Sequence, residues 1–286
     1  MNALGIDIGG TAVKAAWIDE RTGTRLSVSD PYKRPDRAQL SAAVFGAVRG
    51  LGLEPGRIRR VGLCVPGRRA PAGDRVDLAV NIPGLEGYPF GEIVRDAIED
   101  APDPVIVSDA EAATLDAASA HPGSARILGI TIGTGVGVCL LEDGKPVRMG
   151  RGSIGHLGQI DVGPIGSWHP IGPDGGRGSL EAYLGVAAFR DRLGDRFPEH
   201  LPSLPIDDPG MVALVRAMRI ALAIYTPDLV LLLGGIGMAL SPRAGLLSES
   251  VCRELTSVAR PGWRLAFGQS RHHAAMGAAR MSMMRP

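Results

Sequence analysis

The chain carries two carboxylates where an apolar strand would give out. Asp7 closes the run in "LGIDIGGTAVK", and Asp109 follows Val105–Val107 in "VIVSDAEAATLDAA". A carboxylate at a strand tip is costly unless it is paired or gathers a hydrated cation. A residue between a strand and the next helix stands at the carboxyl end of a sheet, where α/β proteins open their clefts. Directly after Ile8 come Gly9, Gly10 and Thr11, and a second turn, Gly133-Thr134-Gly135, occurs in "LGITIGTGVGV". Glycines between two strands turn the chain with no Cβ in the way and leave amide N–H groups aimed into a concavity that suits an anion. A Mg2+ shared by Asp7 and a phosphate would account for the carboxylate, with the Thr11 hydroxyl as a further donor. The plain alternative is a pair of hairpin turns. There is no G-x-x-x-x-G-K-[ST] and no G-x-G-x-x-G leading from strand into helix, so neither a P-loop nor a dinucleotide fold explains them. Two such loops facing each other across a cleft would hold one polyphosphate from both sides.

The elements that must position these residues follow from periodicity and punctuation. The two stretches share Leu-Gly-Ile-x-Ile-Gly in one register, 124 residues apart, too far for neighbouring turns of a repeat array. Strands are expected at Ala3–Ile8, Ala12–Ile18, Arg25–Ser29, Val61–Val65 and Val105–Val107, with helices near 38–51, 93–97 and 110–120. The pattern restarts with strands at Ile127–Ile132 and Gly137–Leu141 and an Asp143-Gly144 hairpin. Residues 150–178 are rich in Gly and Pro, and a long loop of this kind is usually functional or mobile. Helices return at 180–193 and 211–224, then the strand "LVLLLGG" and a last helix near 273–284. This alternation in both halves predicts an α/β protein with two similarly built domains.

With 286 residues, 45% hydrophobic, 21% charged and only 4% aromatic, the chain reads as a soluble globular protein with an aliphatic core. A formal charge of +1 removes the electrostatic case for nucleic-acid or membrane-surface binding. Arg57-Ile58-Arg59-Arg60 and Arg68-Arg69 read as solvated faces. Cys64, Cys139 and Cys252 form no Cys-x-x-Cys pair, and the first two read as core fillers. The first residues show no leader pattern and no run reaches membrane-spanning length, so a cytoplasmic protein is expected.

Taken together, "GIDIGGTAVK", "VSDAEAATLDAA", "ITIGTGVGV", "GSIGHL", "GSLEAYLG" and "PDLVLLLGG" resemble, in order and over nearly the whole chain, the ROK family of sugar kinases and repressors in the actin/hexokinase/Hsp70-like ATPase superfamily. The resemblance implies two ribonuclease-H-like (actin-like ATPase) domains facing a central cleft: residues 1–109, and residues 110–286 with the last helix packing back on the first domain. It implies that Asp7, Gly9, Gly10, Thr11 and Lys14, together with Gly133, Thr134 and Gly135, embrace the phosphates of ATP and its Mg2+, and that Gly234 and Gly235 pass close to the adenosine. The alternative for Gly234-Gly235 is a strand-ending turn.

Phosphorylating an alcohol needs an in-line oxygen, an acceptor for its proton and positive charge on the phosphate oxygens. The resemblance makes Asp109 that acceptor, although Ser108-Asp109-Ala110-Glu111 is also an S-x-x-E capping box in which Ser108 caps the helix and its dipole favours Asp109. Both roles can coexist. By resemblance, Asn81 in "NIPGLEG", Ser108, Ser153, His156 and Glu181 contact the sugar. Asn-Ile-Pro-Gly is also a turn signal, and Glu181 is also a helix-N-terminal acid after a Ser179 cap.

Three departures matter. The family's Asn-Asp pair is Ser108-Asp109 here, its Glu-x-Gly-His is Ser153-Ile154-Gly155-His156, and the zinc-binding cysteines before "GSLE" are absent, with Ser179 at the place of the last. His156, Asp161, His169 and Asp174 are not spaced as a tetrahedral site, so no structural zinc is expected. The expected function is an ATP-dependent sugar kinase acting on a hydroxyl, the 6-hydroxyl, of a hexose or hexose derivative, in a chain that could pair as a homodimer. A repressor of the same family would carry a helix-turn-helix before the first glycine turn, and only six residues precede Asp7 here. A sugar- or nucleotide-binding protein without kinase activity is the other alternative, disfavoured by the presence of Asp7 and Asp109.

Overall fold

A computed structural model describes residues 1–54, 56, 58–79, 81–150, 153–173, 175–259 and 262–284. The chain divides into two compact units, Met1–Asp116 with His272–Pro286, and Ala117–Arg271. The first unit contains β1 (Asn2–Ile8), β2 (Val13–Asp19), β3 (Gly23–Val28), α1 (Arg37–Arg49), β4 (Val61–Cys64), β5 (Arg68–Arg69), β6 (Val76–Leu78), α2 (Phe90–Arg95), β7 (Val105–Val107) and the start of α3 (Asp109–Ala118). Its main sheet has the order β3-β2-β1-β4-β7. The β1–β2–β3 meander is antiparallel, whereas β4 runs parallel to both β1 and β7. Leu4, Ile6, Ile8, Trp17 and Leu63 fill its core, together with Leu40 and Val44 of α1, whose start is fixed by an Asp36/Gln39 capping box.

The C-terminal helix, His273–Met284, belongs to this unit and lies flat on β1 and β4 because three glycines leave room for it. A Cβ on Gly5 would stand 1.8 Å from the carbonyl oxygen of Ala275, one on Gly62 2.0 Å from that of Ala278, and one on Gly277 1.9 Å from that of Ala112 in α3. The buried carboxylate of Asp116 on α3 accepts from His273 Nδ1 (2.6 Å) and Arg280 Nε (2.8 Å). Arg60, expected on a solvated face, instead donates to the carbonyl of Met283 at 3.0 Å, where the last turn of a helix leaves its acceptors unsatisfied. Arg57 lies outside the described residues. Arg68 and Arg69 are exposed, as expected, and Cys64 and Cys139 are buried.

The second unit repeats the plan. It contains β8 (Arg126–Ile132), β9 (Val136–Glu142), β10 (Lys145–Pro146), α4 (Leu180–Leu184), α5 (Val186–Leu193), α6 (Phe197–His200), α7 (Pro209–Tyr225), β11 (Leu229–Leu233), α8 (Gly234–Ala239), α9 (Ala244–Glu254) and β12 (Arg264–Phe267); the C-terminal helix is therefore α10. The sheet order β10-β9-β8-β11-β12 matches that of the first sheet strand for strand, with β8 in the place of β1. Asp143 and Gly144 both have positive φ, at 48° and 74°, the geometry of the expected hairpin turn.

One local expectation needs correction, and two are sharpened. The helix expected over 180–193 breaks at Gly185, whose ψ of 158° is extended, because the next N–H, that of Val186, is drawn to the carbonyl of Gly133 at 3.1 Å. Gly234 does not merely end a strand: at φ +78° it opens α8, and a Cβ there would lie 2.4 Å from the Ile132 carbonyl oxygen. The stretch 153–178 is less irregular than its composition suggests, with antiparallel bridges at Asp161–Ser179, Ile165–Trp168 and Ile171–Arg177. Among the described residues no helix is long and apolar enough to cross a membrane.

Candidate active site

In the first unit the carboxyl ends of β1, β4 and β7 lie side by side, with Asp7 opposite Cys64 and Cys64 opposite Val107. The strand β7 is two strand spacings, about 10 Å, from β1, so Asp7 and Asp109 crown the same sheet edge. The side chain of Asp7 is 9% exposed and accepts from Lys14 Nζ at 3.1 Å, Lys14 being its antiparallel partner on β2. Pairing with Lys14 offsets part of the cost of burying the carboxylate.

The turn after β1 is fixed from both sides. Gly9 N–H donates to the Ala12 carbonyl at 3.1 Å, and Tyr32 N–H to that of Thr11 at 2.8 Å. The Tyr32 hydroxyl donates to the Gly9 carbonyl at 2.6 Å. Burial, and then the negative charge of Asp7, hold the Tyr32 phenol well above its ordinary value, so it remains a donor. Sequence reasoning missed Tyr32: it lies 23 residues from Gly9, and no local pattern marks it. His272, also unmarked, bonds the Ser27 carbonyl through Nε2 at 3.2 Å. Burial chiefly, and Lys14 next among the groups acting in that sense, hold its imidazole below the ordinary value.

Ser108 caps α3, its Oγ accepting from Glu111 N–H at 3.2 Å, and Asp109 is the first helical residue, its Oδ1 accepting from Ala110 N–H at 2.8 Å. Desolvation by the surrounding protein, and then the charge of Asp7, push the Asp109 carboxyl above the ordinary value, against the helix-end amides and Lys14. The residue is nonetheless exposed, so the desolvation is that of a recessed surface group and not of the core. A reachable carboxylate with raised proton affinity is what a general base for an alcohol requires. Asn81 is exposed, just before the short turn at Pro83–Leu85.

In the second unit Gly133 N–H closes its turn on the Gly135 carbonyl at 2.9 Å. The next amide, Val136 N–H, donates to Oε2 of Glu181 at 2.9 Å. A Cβ on Gly135 would lie 2.6 Å from that oxygen, so a side chain there would displace the Glu181 carboxylate. Glu181 is held by α4, which Ser179 caps through Ala182 N–H at 3.3 Å. Gly234 abuts Ile132, the residue before Gly133, so the two glycine motifs are neighbours. His156 is exposed, two residues before Gly158, which packs against Val136 and Glu181. The Oγ of Ser153 accepts from Gly155 N–H at 3.0 Å. Thr134, Trp168, Glu181 and Asp191 are among the residues lining a pocket of about 510 Å3 within this unit.

Residues 3–278 match the model of the ROK family. An N-acetylmannosamine kinase of Salmonella paratyphi A is 33% identical over 203 residues, covering 68% of this chain and 66% of that protein. An N-acetyl-D-glucosamine kinase of Vibrio vulnificus is 28% identical over 196 residues, 65% of this chain and 63% of that protein. The chain thus spans just under two thirds of these curated relatives. Among solved structures, a ROK family glucokinase from Streptomyces griseus in complex with glucose and AMPPNP superposes with a TM-score of 0.71 at 22% identity, over 99% of this chain and 100% of the other.

Proposed function

The chain belongs to the ROK family, and from that premise we propose that it is an ATP- and Mg2+-dependent sugar kinase, transferring phosphate to the 6-hydroxyl of a hexose or hexose derivative. The observation that carries the reading is the pair of carboxylates on one sheet edge: Asp7 buried against Lys14, and Asp109 exposed with raised proton affinity. The amide-modified hexoses named for the two curated relatives support a hexose derivative as substrate.

The donor set fits the cofactor. Asp7 is a hard oxygen ligand at the end of a strand, beside a glycine turn whose backbone amides suit phosphate. Asp7 would hold Mg2+, which when bound neutralises charge on the phosphate oxygens. The N–H groups of Gly9 and Gly133 close their own turns, and the backbone N–H groups of Gly10, Thr11, Thr134 and Gly135, with the hydroxyls of Thr11 and Thr134, bind the phosphates. Lys14 keeps the Asp7 carboxylate oriented and adds positive charge. Gly234 and Gly235 leave the chain bare of side chains where the adenosine passes.

Asp109 Oδ2 accepts the proton of the attacking sugar hydroxyl, its Oδ1 being fixed by Ala110 N–H. The cap at Ser108 sets the rotation of the first turn of α3 and hence the direction of Asp109. Glu181 and His156 hold neighbouring sugar hydroxyls, with Ser153 and Asn81 at the margin. Steady-state assay of ADP formation from Mg-ATP, with hexoses and N-acetylhexosamines as acceptors, tests the reading: sugar-dependent ADP release is expected, and ATP binding without transfer to any of them would overturn it.

A further inference from the structure

The segment from Ser153 to Gly178 carries His156 and contributes Trp168 to the wall of the pocket that Glu181 and Thr134 also line. Apart from the short turn at Leu157–Gln159 its described residues form no helix, and only single-residue bridges, so something else must hold it. A zinc ion is what the family resemblance would supply, but the residues present do not fit one. Ser179, at the place of the last cysteine, is 98% buried with its hydroxyl engaged by Ala182 N–H. His169 Nε2 stands 3.9 Å from Asp161 Oδ1, with Gly178 packed so closely against both that a Cβ there would lie 2.4 Å and 2.6 Å from them. Among the described residues no three His, Cys, Asp or Glu side chains converge as metal ligands; Asp174 lies outside the described residues.

What meets the segment instead is a set of donors from α4 and α7. The fully buried Tyr183 has its hydroxyl 2.9 Å from the Gly163 carbonyl and 3.0 Å from that of Trp168, one hydrogen shared between them. Arg216 gives two Nη1 hydrogens to the carbonyls of Val162 and Pro164, both at 2.8 Å. Four backbone acceptors within seven residues are thereby satisfied by two side chains, and those from the guanidinium are of the stronger, charge-assisted kind. The Trp168 ring then stands edge-on to Tyr183 at 4.8 Å and 88°. Over it lies the Arg192 guanidinium, at 5.4 Å, itself fixed by Asp208 at 2.6 Å. Burial, foremost, and the charge of Asp161 hold the Tyr183 phenol above its ordinary value despite Arg216, so it stays a donor at neutral pH.

We infer that Tyr183 and Arg216 form a metal-free brace that fixes residues 160–168, and with them the sugar-facing wall at Trp168, doing by hydrogen bonds to backbone carbonyls what zinc does in the family. The link to sugar rests on the kinase reading above; the brace itself does not. Tyr183 and Arg216 are positioning residues, not catalytic ones.

The test is hydrogen–deuterium exchange of residues 160–168 in the full chain and in Tyr183→Phe, Arg216→Ala and Arg216→Lys, with zinc content and the KM for sugar and for ATP measured in parallel. Losing the shared phenol bond or the two charge-assisted bonds should raise local exchange about tenfold or more in Tyr183→Phe and Arg216→Ala while β8 and β11 stay protected. Arg216→Lys should be intermediate. A chelator should leave wild type unchanged, and the KM for sugar should rise without that for ATP. Unchanged exchange in Tyr183→Phe, which removes a single oxygen, would overturn the brace even if Arg216→Ala fails to fold. Stoichiometric zinc whose removal raises exchange would also overturn it. Lost protection in the variants with no sugar phosphorylated by wild type would uphold the brace and overturn the kinase reading.

Discussion

Glu181 Oε2 accepts the backbone N–H of Val136 at 2.9 Å, so the side chain proposed to hold the sugar also fixes the end of the second glycine turn, proposed to hold phosphate. Glu181→Ala should therefore raise the KM for sugar and for ATP together, each about tenfold, the loss of a charged hydrogen bond. Glu181→Gln, whose amide oxygen can still accept from Val136, should weaken sugar binding with little effect on ATP. Steady-state kinetics of the two variants checks this, and an unchanged ATP KM in Glu181→Ala would contradict it.

Asp109 faces opposite demands from stability and chemistry. Its raised carboxyl means that the folded state binds the proton more tightly than the unfolded one. Its contribution to stability is then full below the unfolded value of about 4 and lost as pH rises through the folded value. Asp109→Asn should match or exceed wild type in Tm at neutral pH, with the advantage vanishing toward pH 4. The acid limb of kcat/KM should fall off at a pH above the ordinary carboxylate value, because only the ionised base accepts the sugar proton. A Tm at pH 7 several degrees below wild type would argue against the desolvated carboxylate.

The Tyr32 side chain supports the first turn through one hydrogen bond, from its hydroxyl to the Gly9 carbonyl. Tyr32→Phe should cost about 1 kcal/mol in stability and raise the KM for ATP several-fold, with the KM for sugar unchanged. Isothermal titration with an ATP analogue and denaturant melts would read both, and a sugar-specific defect would place Tyr32 elsewhere in the mechanism.

Gly277 allows α10 to touch α3, and a Cβ there would lie 1.9 Å from a backbone oxygen that cannot swing aside. Gly277→Ala should destabilise the first unit by about 2 kcal/mol or more through overpacking, lowering Tm. As α3 carries Asp109, kcat should fall in the folded fraction as well. A neutral Gly277→Ala would show that α10 can shift at little cost.

Much of this was legible from short-range pattern. Leu-Gly-Ile-x-Ile-Gly at residues 4 and 128 becomes, in each unit, the first strand of the sheet and the turn after it, because alternation and glycine are local signals. The S-x-x-E sequence at Ser108 likewise reads directly as the cap of α3. What escaped depends on partners distant in sequence. The helix break at Gly185 follows from the Gly133 carbonyl, and the roles of Arg60 and Tyr32 follow from the carbonyls of Met283 and Gly9. The brace at Tyr183 and Arg216 was invisible for the same reason, since its acceptors are backbone carbonyls that no residue type announces.

The most direct measurement is ADP release from Mg-ATP in the presence of single hexoses, N-acetylhexosamines and ketoses, with Asp109→Asn alongside. Sugar-dependent release by wild type, falling at least about 100-fold in the variant while its affinity for the nucleotide is kept, is the result expected. Near-normal turnover by Asp109→Asn would contradict the assignment of the base, and release by neither protein with any sugar would contradict the kinase itself.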